Sequence, residues 1–194
     1  SMVLTPILDK VGRSLSQRHK RLEGEGLVPS GIENSSGHVI IAGYGRMGRA
    51  IARLLRQHEI RFVALDLDVD RVMKARQDGL PVFFGDASHA GVLRSVGVGG
   101  AQAVVVTLGH PRLTERTVFC VHQTAPGVPV FARAQDRIHE ALLSQMGAAA
   151  VIPETVEASL QIAGLVLRSA GIAEDKVESS LTDYRKNRYG GDKS

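Results

Sequence analysis

The stretch His38–Leu55 reads HVIIAGYGRMGRAIARLL and sets three glycines between a β-branched run and a segment of helical spacing. The short apolar run predicts a buried strand. Met47, Ala50, Ile51, Leu54 and Leu55 fall on one face of the helix expected to follow. Gly43, Gly45 and Gly48 form G-x-G-x-x-G at the handover. Alone, that spacing is a weak signal. Here an apolar strand precedes it, an amphipathic helix follows it, and Asp66 closes a second apolar run, RFVALD, 18 residues beyond Gly48.

Each glycine has a physical task in such a turn. Gly43 permits the tight bend, Gly45 lets backbone approach a pyrophosphate, and Gly48 lets helix and strand pack closely. The freed N–H groups and the helix dipole favour an anion there. Asp66 is then placed to accept hydrogen bonds from adenosine ribose hydroxyls, and its charge disfavours a 2′-phosphate. NAD(H) or AMP/ADP is therefore expected over NADP(H). The competing reading makes Asp66 a helix cap, a role that Asp68 and Asp70 in DLDVD also offer. Arg46 either leans over the phosphates or is a solvated surface arginine. Asp86, ending PVFFGD, either faces an adenine edge or caps the helix that begins near Ser88.

Outward from this unit the chain alternates. DVDRVMKARQDG is a second helix stopped by Gly79, PVFFGD a third strand, and HAGVLRSVG a short helix. AQAVVVTLG is a fourth strand, followed by PRLTERTVFCVHQT with Pro111 in its first turn. VPVFARA, QDRIHEALLSQMG, AAAVIP and ETVEASLQIAGLVLRSAG continue strand, helix, strand, helix. Strands apolar on both faces, each followed by a helix, predict an α/β fold: a Rossmann-like doubly wound parallel six-stranded sheet with helices on both faces. In the last helix Val156, Leu160, Ala163 and Leu167 fill one face and Ile162, Leu165 and Val166 another. A helix apolar nearly all round needs cover on two sides, which predicts a homodimer through it; the alternative is shelter from residues 172–194.

The flanks differ. Leu4, Ile7, Leu8, Val11 and Leu15 have helical spacing, and five Lys/Arg lie between Lys10 and Arg21 with no acid, so residues 1–22 are expected to be a basic helix. Residues 23–37 read as a Gly/Ser/Pro-rich linker, 38–170 as the nucleotide-binding domain, and 171–194 as a polar, frayed tail.

Composition bounds the rest. With 43% hydrophobic residues a packed core is expected. Aromatics at 4%, no Trp and a net charge of only +4 argue against a nucleic-acid partner. The single cysteine, Cys120, excludes an internal disulfide and is expected to be a buried thiol. No run of 18 apolar residues and no signal-peptide core occur, so the chain is expected to be soluble and not exported.

VIIAGYGRMGRAIARLL, VALDLDVDRV, VFFGDAS, VFARAQD and AAAVIPETVEASLQIAGLVL resemble the regulatory nucleotide-binding domains of potassium transport systems, the RCK or TrkA-N type, over about His38 to Ala170. The likeness is greatest to the cytosolic part of Kef-type potassium-efflux and monovalent cation/proton antiporters. SMVLTPILDKVG resembles the end of the last membrane helix of such antiporters, which would explain the neighbouring basic run. The resemblance implies a ligand-sensing gate at the cytoplasmic face of the cell membrane, joined to a transmembrane antiporter domain of the same polypeptide. It implies NAD(H) or AMP over the glycine turn, Arg133 near the site, and Glu154 as a carboxylate leading into the last helix. The expected cofactor-binding set is Gly43, Tyr44, Gly45, Arg46, Met47, Gly48, Asp66, Leu67, Asp68, Gly85, Asp86, Ala87, Thr107, Leu108 and Arg133. One departure is Gly109, His110 and Pro111, where relatives carry acidic or amide residues; no glutathione-type regulator is assigned.

The rival class is a small NAD-dependent oxidoreductase. Hydride transfer needs an acid/base group beside the nicotinamide. His110, at a strand end, is the only candidate, and a lone loop histidine without partners makes a weak site. A binding module with no catalytic residue and no metal is expected.

Overall fold

The structure is a computed structural model that describes residues 32–189. β1 (Val39–Ala42) leads into α1 (Arg46–Gln57), β2 (Phe62–Asp66) into α2 (Val69–Gln77), and β3 (Val82–Phe84) into α3 (Ala90–Ser95). β4 (Ala103–Val106) leads into α4 (Pro111–Thr124), β5 (Val130–Ala134) into α5 (Arg137–Gln145), and β6 (Ala150–Pro153) into α6 (Glu154–Ser169); α7 (Glu174–Tyr189) follows. All strand pairs are parallel, in the order β3-β2-β1-β4-β5-β6. This is the doubly wound sheet expected; successive strands are added in one direction from β1 to β3 and in the other from β4 to β6, and a cleft opens at the carboxyl ends of the strands where that order switches, between β1 and β4.

Strand alternation divides the interior in two. Ile40, Ala42, Leu65, Phe83, Val104 and Val106 face α3, α4 and α5, whose Leu93, Val118, Val121 and Leu143 are fully buried against them. Val39, Ile41, Phe62, Ala64 and Val82 face α1 and α2, meeting Ala52, Val72 and Ala75. Each buried Val, Leu or Ile contributes about 1.5–3 kcal/mol, so these two layers supply the main driving force for the fold. The second layer stops short. On the α1 side of the sheet, Phe131 of β5 and Ile152 of β6 are 42% and 43% exposed, so no described helix covers that half.

Several expectations need correction. Gly48, Ala52 and, in part, Ile51 and Leu55 form the inner face of α1, while Ala50 and Leu54 point outward. The close approach allowed by Gly48 turns that side of the helix to the sheet. The expected basic helix, residues 1–22, and most of the expected linker lie outside the described residues. The linker's end, 32–37, is docked: Ile32 packs on the core, Gly37 N–H donates to the Gly100 carbonyl at 2.8 Å, and Arg61 reaches Ser36 O at 2.7 Å. Cys120 is half-buried at the core's edge.

Nor is the segment after Gly171 frayed through its length. Residues Glu174–Tyr189 form α7, which returns along α6. Val177 and Leu181, four residues apart, close on Leu160 as a small core separate from those of the sheet, with Val156 and Leu167 at its edge. Arg168 of α6 binds Glu174 and Glu178 of α7 at 2.6–2.8 Å. Thus one face of α6 is sheltered by α7, as in the alternative reading. The other is open, with Ile162, Leu165 and Val166 at 63%, 65% and 58% exposure. No helix of the described residues is long and apolar enough to cross a membrane.

This hairpin should yield independently of the sheet. Leu181→Ala removes a core side chain from a three-residue cluster, at a cost of about 2 kcal/mol. Amide exchange in α7 should accelerate while β1 and β4 stay protected. The Arg168 hydrogen bond holds the Glu174 carboxyl below its ordinary pKa. A carboxyl lowered on folding stabilises above the ordinary carboxylate range, and that contribution is lost as pH falls through the lowered value. The protection factors of α7, that is, exchange rates divided by the intrinsic rate at each pH, should therefore decrease modestly as pH falls through the carboxylate range. Arg168→Gln should reduce that decrease, leaving the part due to the Arg185–Glu157 pair between the same two helices.

Candidate functional site

β1 ends at Ala42 and the chain bends at Gly43, whose φ is +100°. A Cβ there would lie 3.1 Å from Thr107 Oγ1 and 3.3 Å from Leu108 N, so both conformation and space demand glycine. The turn is pinned on two sides. Gly43 N–H donates to Leu65 O of β2 at 2.8 Å, and Thr107 Oγ1–H donates to Gly43 O at 2.8 Å. A Cβ on Gly48 would stand 2.1 Å from Gly43 O, which makes that glycine the contact allowing α1 to approach β1. Gly45 differs. Nothing lies within 4 Å of its would-be Cβ, and it supplies no side-chain cap to α1. The first turn of α1 therefore faces open space with N–H groups and the positive end of its dipole.

Asp66 forms the opposite wall, its side chain only 7% exposed. Oδ2 accepts from Tyr44 N–H at 2.6 Å and Oδ1 from Asp68 N–H at 2.8 Å. Arg71 Nη1 donates to both oxygens, at 3.2 and 3.0 Å. These four contacts occupy a carboxylate's acceptor capacity. Capping of α2 falls instead to Asp68, which accepts from Arg71 N–H at 3.0 Å and pairs with its guanidinium. Asp86 accepts from Ser88 N–H at 2.8 Å and pairs with His89 Nδ1 at 3.2 Å, while still lining the cleft. At the far end Arg133 of β5 forms an ion pair with Glu154, the first residue of α6.

The cleft has a volume of about 760 Å³. It brings together Gly43, Gly45, Arg46, Met47, Asp66, Leu67, Gly85, Asp86, Ala87, Thr107, Leu108 and Arg133 from the expected set, with Glu154 beside them. Tyr44, Gly48 and Asp68 do not line it. Tyr44 turns its ring into the α1–α2 core and offers only its N–H to Asp66; Gly48 is spent on packing, and Asp68 on the cap. Arg49, Arg71 and Leu113 line the cleft without having been singled out. Arg71 had a signal, since D-x-D-x-x-R puts a long cation one helical turn past the carboxylates. His110 is exposed and does not line the cleft.

The TrkA-N domain matches residues 39–154, more than half of the chain. The chain belongs to the TrkA-N family. Among relatives of this TrkA-N protein is the K(+) efflux antiporter 1, chloroplastic, of Arabidopsis thaliana, 40% identical over 187 residues. That match covers 95% of the chain but spans only 16% of the relative's length. The Kef C-terminal domain of Shewanella denitrificans, solved in an AMP-bound form, superposes with a TM-score of 0.67 at 25% identity, covering 79% of this chain and 93% of that one. The TrkA-N domain of the inner membrane protein YbaL from Escherichia coli gives 0.65 at 21% identity, covering 68% and 98%, a likeness of fold.

The two inner glycines should respond in opposite ways. Alanine at Gly48 meets backbone at 2.1 Å, and the resulting overpacking, about 3 kcal/mol, outweighs roughly 1 kcal/mol of gained helix propensity. Gly45→Ala should leave the melting temperature within a few degrees of wild type, because its methyl enters empty space. Thermal denaturation followed by circular dichroism distinguishes them.

Proposed function

We propose that this chain is the nucleotide-sensing regulatory module of a potassium (monovalent cation)/proton antiporter, carried at the cytoplasmic face of the membrane by a transporter domain of the same polypeptide. The observation that carries the reading is the uncapped start of α1 at Gly45, facing a buried carboxylate, Asp66, across a cleft the size of a nucleotide. The adenine nucleotide expected is NAD(H) or AMP. The AMP-bound Shewanella domain and the antiporter relative support that choice of ligand and setting.

In this reading the phosphate sits on the N–H groups of the glycine turn, with Arg46 above it. The ribose hydroxyls take the place of Arg71 on Asp66, and Arg71, 44% exposed, swings into solvent or onto the adenine. Binding rather than hydride transfer is favoured by the state of the cleft's acids. Glu154 is tied to Arg133, Asp86 to Ser88 and His89, and Asp66 to three donor groups. None is poised to exchange a proton with a substrate.

The module works as a homodimer. Ile162, Leu165 and Val166 form an apolar stripe on α6, and Phe131 with Ile152 leave half a sheet face bare. Each is the kind of surface that a second copy covers.

Calorimetry tests the ligand. Asp66→Asn keeps an oxygen for Tyr44 N–H but loses the carboxylate's grip on two hydroxyls, so affinity for AMP and NADH should fall at least about tenfold; its NH2 faces the Asp68 N–H and Arg71, so melting should also fall by several degrees. NADPH should bind about tenfold more weakly than NADH, because its 2′-phosphate meets Asp66. Equal affinities would remove Asp66 from the ribose. Light scattering tests the assembly: wild type should weigh as a dimer at tens of micromolar, and Leu165→Glu as a folded monomer.

A further inference from the structure

Arg46, Arg49, Arg53 and Arg56 recur along α1 at spacings of three, four and three, and its 12 residues include no acid. All four are exposed, and among the described residues none has a carboxylate within ion-pair distance. Like charges at these spacings weaken a helix, and a cation in the first turn opposes its dipole. Arg46 is explained by the cleft. Arg53 and Arg56 are not, since they lie about two and about three turns further along and do not line it.

They line a second cavity instead. Arg49, Arg53 and Arg56 surround a space of about 450 Å³ whose other walls are Tyr44, Ala52, Gln57 and Leu80. Its lining offers three guanidiniums, a phenol hydroxyl and an amide over an apolar floor, and contains no carboxylate. Burial pushes the Tyr44 phenol up, opposed by Arg49 and Arg56 and reinforced by Asp78, so its hydroxyl remains a donor at neutral pH. Solvated arginines on an ordinary helix face would lack both the concavity and the buried ring behind it. Three arginine side chains lining one space bring forked donors within reach of the oxygens of a phosphate.

We propose that this cavity is a second anion site, separate from the nucleotide cleft, which takes the phosphate group of a small organic phosphate or of an anionic lipid. It shares one wall with the cleft, Arg49, and touches the glycine turn through Tyr44. The inference stands whether or not a nucleotide fills the cleft.

The test uses inorganic pyrophosphate and vesicles containing phosphatidylglycerol as separate arms. Calorimetry follows pyrophosphate binding to wild type, to Gly45→Val, whose side chain stands over the glycine turn where a phosphate would approach, and to the exposed pair Arg53→Gln/Arg56→Gln. Pyrophosphate should still bind Gly45→Val, and the arginine pair should weaken that remaining binding at least tenfold. Arg53→Lys/Arg56→Lys should recover part of it. Co-sedimentation with the vesicles, lost in the glutamine pair and kept in Gly45→Val, would instead assign the phosphate to a lipid headgroup. If Gly45→Val folds poorly, the glutamine pair alone decides: it must remove one binding event from wild type and spare the other. The site is overturned if the glutamine pair binds both probes like wild type, if Gly45→Val abolishes all binding, or if neither probe binds at millimolar concentration. Nucleotide affinity of the glutamine pair, expected to equal wild type, reports on the cleft separately.

Discussion

One buried carboxylate organises this molecule. Asp66 takes the N–H of Tyr44 from the glycine turn, the N–H of Asp68 from the start of α2, and the guanidinium of Arg71. An ionised group so far from water is tolerated only when its lone pairs are filled, and here they are. The same bonds fix the distance between the two lips of the cleft. Because the contact to Tyr44 is charge-assisted and short, the turn is held in shape before anything enters it. Any ligand that engages Asp66 from the cleft does so by displacing Arg71, the one partner of the three that is a mobile side chain.

The strand–turn–helix unit was legible because its signals are steric. Only glycine fits at Gly43, and the two apolar runs with Asp66 at the end of the second fix where the cleft must open. The face of α1 was not legible from hydrophobic periodicity. The pattern ranked Leu54 and Ala50 as inward, but the closest approach is made by a residue with no side chain, Gly48, and the helix rotates to suit it. Three carboxylates in DLDVD looked interchangeable. Burial and backbone geometry separate them, giving Asp66 to the cleft and Asp68 to the cap. Tyr44 lies inside the motif, but its ring belongs to the core behind it.

Beyond the cleft, legibility fades for a different reason. Strand periodicity reports that a residue is apolar, not which neighbour covers it. Phe131 and Ile152 read as core residues and stand half-exposed, while Val177 and Leu181, two apolar residues in a polar run, proved enough to dock a helix. Long-range cover depends on how many helices reach each face of the sheet, and that is a property of topology.

The ion pair between Arg133 and Glu154 joins these two parts of the molecule. Arg133 stands on the rigid sheet, whereas Glu154 is the residue from which α6 springs. Negative charge placed in the cleft beside Arg133 would contend with Glu154 for the same guanidinium, and that contest falls at the root of a helix sixteen residues long. The second half of that helix carries the apolar stripe.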